Sequence, residues 1–262
     1  MGRIIAVANQ KGGVGKTTTC VNLAASLAAN RRRVLLVDMD PQGNATIGSG
    51  LDKDSLEVSN YDVLLHKRPI EAALQRVELA GYDLLPANGD LTAAEVALMD
   101  SAGREYRLRD LLRPKLADYA YILIDCPPSL NILTLNALVA AHRVLIPIQC
   151  EYYALEGLSA LLDTVRQVQR SVNRELEIEG LLRTMFDPRN NLANQVGAQL
   201  MQHFADKVYR TLIPRNVRLA EAPSHGRPAL QYDRTSRGAI AYMALASEIL
   251  RRESTVPPST PP

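Results

Sequence analysis

Residues 11 to 16 read KGGVGK, three glycines and a valine held between two lysines, with Thr17, Thr18 and Thr19 following. That composition suits phosphate. Glycines let successive backbone N–H groups converge on an anion, and a helix starting near Lys16 adds the positive end of its dipole. Gly15, Lys16 and Thr17 fit the end of the pattern G-x-x-x-x-G-K-[ST], in which the lysine holds the β- and γ-phosphates of a nucleotide and the hydroxyl binds Mg²⁺. Gln10 stands where that pattern has its first glycine, and Lys11 is an extra cation. No acidic residue occurs between Lys11 and Val37, so the positive helix end is left to an anionic ligand.

Carboxylates come from two later segments. Asp38 and Asp40 end RVLLVDMD, and residues two apart on a strand share a face, so both are expected to look toward the phosphates before Pro41 breaks the ladder. Asp125 ends YILID, an apolar strand closing on an acid, the Walker-B arrangement that holds Mg²⁺. Thr17, Asp38 and Asp125 are the expected metal shell. An aspartate close to Mg²⁺ and lysines stays ionised, which makes it a poor proton acceptor and a good hydrogen-bond partner. Asp40 is accordingly assigned to positioning an attacking water.

The elements that must bring these residues together are legible as an alternation. Short apolar runs (RIIAVAN, RVLLVDMD, YILIDCPP, RVLIPIQ, IEGLLRTMF) are separated by helical patterns, the first from Lys16 to Asn30 and others in a helical middle between Leu51 and Arg113. Runs apolar at consecutive positions are buried on both faces, which predicts an α/β fold: a doubly wound, mostly parallel sheet with helices on both sides. Ligands collect beyond the carboxyl ends of such strands, where the phosphate loop and all three aspartates fall.

With 262 residues and 47% hydrophobic content, one domain over 1–253 is expected, followed by a disordered tail, 254–262, rich in proline and small polar residues. Lys and Arg number 30 against 28 Asp and Glu, so the net charge of +2 does not mark a polyanion binder; any such site must be local. Three dispersed cysteines, Cys20, Cys126 and Cys150, exclude a disulfide framework and fit a reducing compartment. No apolar stretch approaches a membrane span, and a cytoplasmic protein is expected.

KGGVGKTTT with Lys11 resembles the deviant Walker A motif of the ParA/MinD superfamily, and DMDPQGNAT, IDCPPSL, CEYYALEG and IPRNVRLAEAPSHG together resemble the ParA/Soj chromosome-partitioning ATPases, over about residues 3 to 250. The resemblance implies an ATPase using ATP and Mg²⁺. ATP would sit on Lys11, Gly12, Gly13, Val14, Gly15, Lys16, Thr17 and Thr18, with Pro214 and Asn216 against the adenine. Lys11 would reach across a homodimer to the partner's phosphates, which makes Lys11, Lys16 and Asp40 the catalytic candidates. The family couples ATP-driven dimerisation to nonspecific double-stranded DNA, with release on hydrolysis stimulated by a ParB-type protein, so a nucleoid-associated location is implied.

For the DNA contact, Lys207, Arg210, Arg215, Arg218 and Arg227 form a basic run opposed only by Glu221, with Arg189 in another loop. Cationic loops on one edge suit phosphate contacts that give affinity without sequence readout. Resemblance to Soj-type proteins singles out Arg189 and Arg218, and Arg215 lies between the motif residues. Only two residues precede the first strand, so no helix-turn-helix reader is expected there. The main alternative is a membrane-cycling MinD-like ATPase. It needs a cationic amphipathic C-terminal helix, whereas GAIAYMALASEILRR, with Ile240, Met243, Ile249 and Leu250, reads as a core helix followed by prolines.

Overall fold

A computed structural model describes residues 2–99 and 101–255. The apolar runs become strands β1 (Arg3–Val7), β2 (Val34–Asp38), β3 (Gln75–Val77), β4 (Tyr82–Leu85), β5 (Tyr121–Asp125), β6 (Arg143–Gln149) and β7 (Glu177–Thr184). They form one seven-stranded sheet in the order β3-β4-β2-β5-β1-β6-β7, parallel except for β3, which runs antiparallel to β4 at the edge. The expected doubly wound α/β architecture is the one observed.

Consecutive strand residues feed two cores. Ile4, Ala6, Leu35, Val37, Ile122 and Ile124 pack to one side, while Ile5, Val7, Val34, Leu36, Tyr121 and Leu123 pack to the other. On the second side α1 (Lys16–Ala29) buries Cys20, Leu23, Ala24 and Leu27 with Tyr242, Leu245, Ala246 and Ile249 of the helix Arg237–Thr255. Each such leucine is worth about 1.5–3 kcal/mol. The C-terminal helix is thus a core element, as expected, but its buried stripe differs from the one first marked. Ile240 is 57% exposed, because the residues facing α1 follow Tyr242, Ala246 and Ile249 at helical spacing. That helix runs to Thr255, two residues into the segment read as a tail; residues 256–262 lie outside the described residues.

The middle segment is not purely helical. QRV and YDLL pair as a hairpin, β3 with β4, turned through Gly81 at φ +77. Runs of three and four residues are too short to announce themselves by periodicity. Farther along, the segment after α2 (Asn44–Gly48) touches the loop that closes APSHG. A Cβ built on Gly50 would lie 2.7 Å from the Gly226 carbonyl oxygen, and both glycines have positive φ. The two main chains meet with no side chain between them.

Candidate nucleotide site

The strand register sets the site. Asp125 lies beside Val7 on one side and beside Asp38 on the other, so the phosphate loop and both carboxylates emerge together at the carboxyl ends of β1, β2 and β5. Gly13 and Gly15 take φ of +72 and +88, a conformation only glycine adopts without strain. The loop is pinned from three directions. Asn9 Oδ1 accepts from Lys11 N at 2.9 Å, Asn9 Nδ2 donates to Pro147 O at 2.7 Å, and the Thr184 hydroxyl donates to Val14 O at 2.8 Å. Sequence reasoning gave neither Asn9 nor Thr184 a role.

Lys16 is buried, and its ammonium donates to Lys11 O at 3.3 Å. Burial lowers its pKa, opposed by the charges of Asp125, Cys126 and Asp40. A buried cation against a fan of backbone N–H groups is an anion receptor in waiting. Gly15 and Thr18 share a cavity of about 160 Å³ with Thr184, Met185, Pro214, Arg215 and Asn216, so the two residues assigned to adenine do border the loop. Asn216 also caps the short helix Val217–Glu221, with its Oδ1 accepting from Leu219 N.

The three aspartates differ in what they bind. Asp38 is fully buried with both oxygens engaged. Oδ2 accepts from Thr46 N at 2.9 Å and from the Thr46 hydroxyl at 2.8 Å, and Oδ1 accepts from Asp40 N at 3.1 Å. Asp38 therefore shapes the loop that carries Asp40. Asp40 Oδ1 accepts from Gln42 N at 3.0 Å. Asp125 Oδ1 accepts from the Cys20 thiol at 3.5 Å, while its Oδ2 is buried with no hydrogen-bond partner, and Thr17 stands close enough to lower its pKa. An orphaned carboxylate oxygen beside a hydroxyl is a hard-oxygen donor set and fits Mg²⁺. Among the described residues no three His, Cys, Asp or Glu side chains form a metal cage, as suits an ion held largely by phosphate and water.

Burial pushes the pKa of Asp38 and Asp125 up, and Asp125 is raised further by the Asp38 charge. A carboxyl raised above its unfolded value favours folding while protonated, and that contribution is lost as pH climbs toward the folded pKa. In chelator, the melting temperature of Asp125→Asn relative to wild type is therefore expected to rise between about pH 5 and about pH 8. A difference that stays level with pH, read by calorimetry, would remove the burial argument.

Lys11 does not point into solvent. Its ammonium meets Glu151 Oε2 of the same chain at 2.6 Å, both side chains being part-exposed. Glu151 belongs to CEYYALEG, a motif read without a role for this residue, and the exposed Tyr152 and Tyr153 follow it.

The basic run does not stay on one edge. Lys207 and Arg210 line a cleft with Arg3 and Arg143 at the amino ends of the strands, because Val208 bridges to Leu181 inside β7; Arg227 lies beside Thr17 and Thr18. Arg215 and Arg189 do come together, through a bridge between Phe186 and Pro214. Arg189 is 88% exposed and forks onto Asp187, whose carboxyl it holds down to about 2 with help from Arg215. Arg218 pairs with Glu221 at 2.8 Å and Asp233 at 3.3 Å. Surface pairs of this kind exchange readily for other anions.

A family model described as an AAA domain matches residues 2–178. The chromosome partitioning protein ParA of Myxococcus xanthus is 54% identical over 98% of this chain and 91% of its own length. The sporulation initiation inhibitor protein Soj of Bacillus subtilis is 54% identical over 95% and 98%. Among solved structures, a Mycobacterium smegmatis protein described as cobyrinic acid a,c-diamide synthase, with bound ADP and magnesium, superposes with a TM-score of 0.86 at 42% identity over the whole of both chains. With the phosphate loop, the strand-end aspartates and the two-lysine signature now in one crevice, the chain belongs to the ParA/Soj family of chromosome-partitioning ATPases.

Proposed function

We propose that residues 1–253 act as one Mg²⁺-dependent ATPase domain that dimerises on ATP, holds nonspecific double-stranded DNA as a dimer and lets go after hydrolysis stimulated by a ParB-type protein. The observation that carries this reading is the convergence of buried Lys16, orphaned Asp125 Oδ2 and the Asp38-braced Asp40 loop on one face of the phosphate loop. The dimer, DNA and ParB-type steps are supported by the kinship to ParA and Soj proteins. On this reading the protein works in the cytoplasm on the nucleoid. Among the described residues no helix is long and apolar enough to cross a membrane.

Each residue then has a task. The N–H groups of Gly12 to Thr18 and the Lys16 ammonium take up the phosphate charge, and Pro214 and Asn216 flank the base. Thr17 and Asp125 would hold Mg²⁺, with Asp38 behind them, and the ion would supply positive charge against the triphosphate. Asp40 orients a water in line with the γ-phosphorus. As the water oxygen bonds to phosphorus, the bond to the β–γ bridging oxygen breaks, ADP leaves with the electron pair, and the water's proton passes to an oxygen of the released phosphate. Lys11 of the second subunit stabilises the same charge from the far side, which ties turnover to pairing.

The direct test is steady-state ATP turnover alone, with DNA, with a ParB-type protein and with both. Turnover highest with both is expected, and a rate indifferent to every addition would count against the cycle. For the DNA surface, Arg218→Glu is expected to lose ATP-dependent plasmid retention while ATP binding stays at the wild-type level. Nonspecific contacts are weak, about 10⁻⁴ to 10⁻⁶ M, so a dimer that loses one cation from each subunit falls off at moderate salt. Retention unchanged at both low and moderate salt would take Arg218 out of the interface.

A further inference from the structure

The amino ends of the strands, roughly 15 Å from the phosphate loop, carry a second concentration of cations. A cavity of about 1270 Å³ opens there, lined by Arg3, Arg31, Arg32, Arg33 and Arg113. Three carboxylates, Asp118, Glu175 and Glu253, line it as well. Two of these are already near cations, Glu253 at 3.0 Å from Arg3 and Asp118 at 3.9 Å from Lys115. Among the described residues none of Arg31, Arg32, Arg33 and Arg113 has a carboxylate within 4.0 Å. The charge in the cleft is therefore positive and largely uncommitted.

Local geometry fixes part of this array. After α1 ends, Arg31 takes φ +59, and the N–H groups of Arg31 and Arg32 return to Ala28 O and Leu27 O, so the three arginines form a tight turn. The Arg33 guanidinium lies over the Tyr119 ring at 5.5 Å. At the wall of the same cavity the Tyr121 hydroxyl is buried with no acceptor at full hydrogen-bond geometry, and the Glu253 carboxylate, which Arg3 also holds, stands beside it and raises its pKa together with burial. His142 adds no charge of its own. Its Nδ1 accepts from Ile4 N at 2.9 Å, and its pKa is lowered by burial and, against Glu175, by Arg3, Arg113 and Arg143.

A simpler account gives the arginines to the carboxyl end of α1, whose dipole favours cations. That end carries about half an elementary charge, far less than four guanidiniums supply, and Arg113 comes from a different segment. We propose that this cleft is a second anion site, which seats an oligophosphate group between the arginine turn and Arg113 with the Tyr121 hydroxyl donating to it. Arginine forks match phosphate oxygens in geometry as well as charge, and the Tyr121 hydroxyl can turn from Glu253 to a phosphate oxygen. The site stands apart from the nucleotide crevice and does not depend on how that crevice works.

The probe is inorganic tripolyphosphate, titrated calorimetrically into full-length protein already saturated with ADP and Mg²⁺. Wild type is expected to bind it. Arg32→Glu/Arg113→Glu is expected to weaken binding by about tenfold or more. Tyr121→Phe, which removes the hydroxyl beside Glu253 and changes no formal charge, is expected to weaken binding with the folded circular-dichroism spectrum retained, so it keeps the test valid if the charge reversals disturb folding. A second arm measures ATP-dependent retention of duplex DNA by wild type and by Arg32→Glu/Arg113→Glu, both with Arg218 intact. Retention that depends on Arg32 and Arg113 assigns the phosphates to nucleic acid, and retention that does not assigns them to a free oligophosphate; both agree with the site. No tripolyphosphate binding by wild type, or binding equal in wild type and both variants, overturns it.

Discussion

Asp40→Ala is expected to bind ATP within about twofold of wild type and to hydrolyse it on the order of 10²-fold more slowly or worse. This split between binding and hydrolysis follows from what Asp40 touches. Its Oδ1 accepts from Gln42 N, an interaction inside its own loop, and the Lys16 and phosphate-loop contacts that would carry ATP affinity do not pass through it. Asp38 braces the Asp40 backbone from below and keeps its grip on Thr46 in the variant, so the loop stays in place. What goes missing is the acceptor that holds a water in line, and misplacement of a reacting atom by an ångström costs rate far more than affinity. Equilibrium binding of a fluorescent ATP analogue and single-turnover hydrolysis, measured on the same preparation, separate the two quantities. A variant hydrolysing at the wild-type rate would return the water-positioning task to some other group.

The second large effect belongs to Lys11. Lys11→Ala is expected to remain monomeric with a non-hydrolysable ATP analogue under conditions that pair the wild type, and its turnover is expected to fall by about 10³-fold, the lower range for a cation supplied in trans. In the isolated subunit this lysine is bonded to Glu151, so reaching a partner's phosphates means leaving a carboxylate first. Exposed pairs of this kind are worth about 0.2–1 kcal/mol, against a much larger return from a desolvated triphosphate. Glu151→Ala is therefore expected to pair with the analogue at least as readily as wild type. Light scattering on the two variants decides the matter: dimers persisting in Lys11→Ala would end the cross-subunit role.

Much of the site could be read in advance because its parts sit where strands stop. A glycine-rich loop after an apolar run, and aspartates closing two others, are local features, and parallel register then places Asp38 beside Asp125 without further information. What escaped were contacts between distant segments. Nothing near Asp38 in the chain announces that Thr46 will take one of its oxygens, and Glu151 meets Lys11 only because β6 lies next to β1. The division of the basic run had a similar origin. Lys207 and Arg215 are close in sequence, but between them the chain pairs with β7 through Val208 and travels from the amino to the carboxyl end of the sheet before reaching Pro214. The β3–β4 hairpin was missed for a different reason. Short strands carry little periodic signal, and the antiparallel edge is settled by Gly81 and by which neighbours remain unpaired.

The meeting of Gly50 with Gly226 gives the molecule a stiff joint. Side chains at a contact act as springs, able to change rotamer and absorb a displacement; here bare main chain bears on bare main chain, and any added methyl would have to push a backbone aside. One arm of the joint carries Asp40 and α2, and the other continues from the helix that bears Arg218. The contact leaves no slack between the arm that carries Asp40 and the arm that carries Arg218, so a side chain at either glycine would have to prise the two apart.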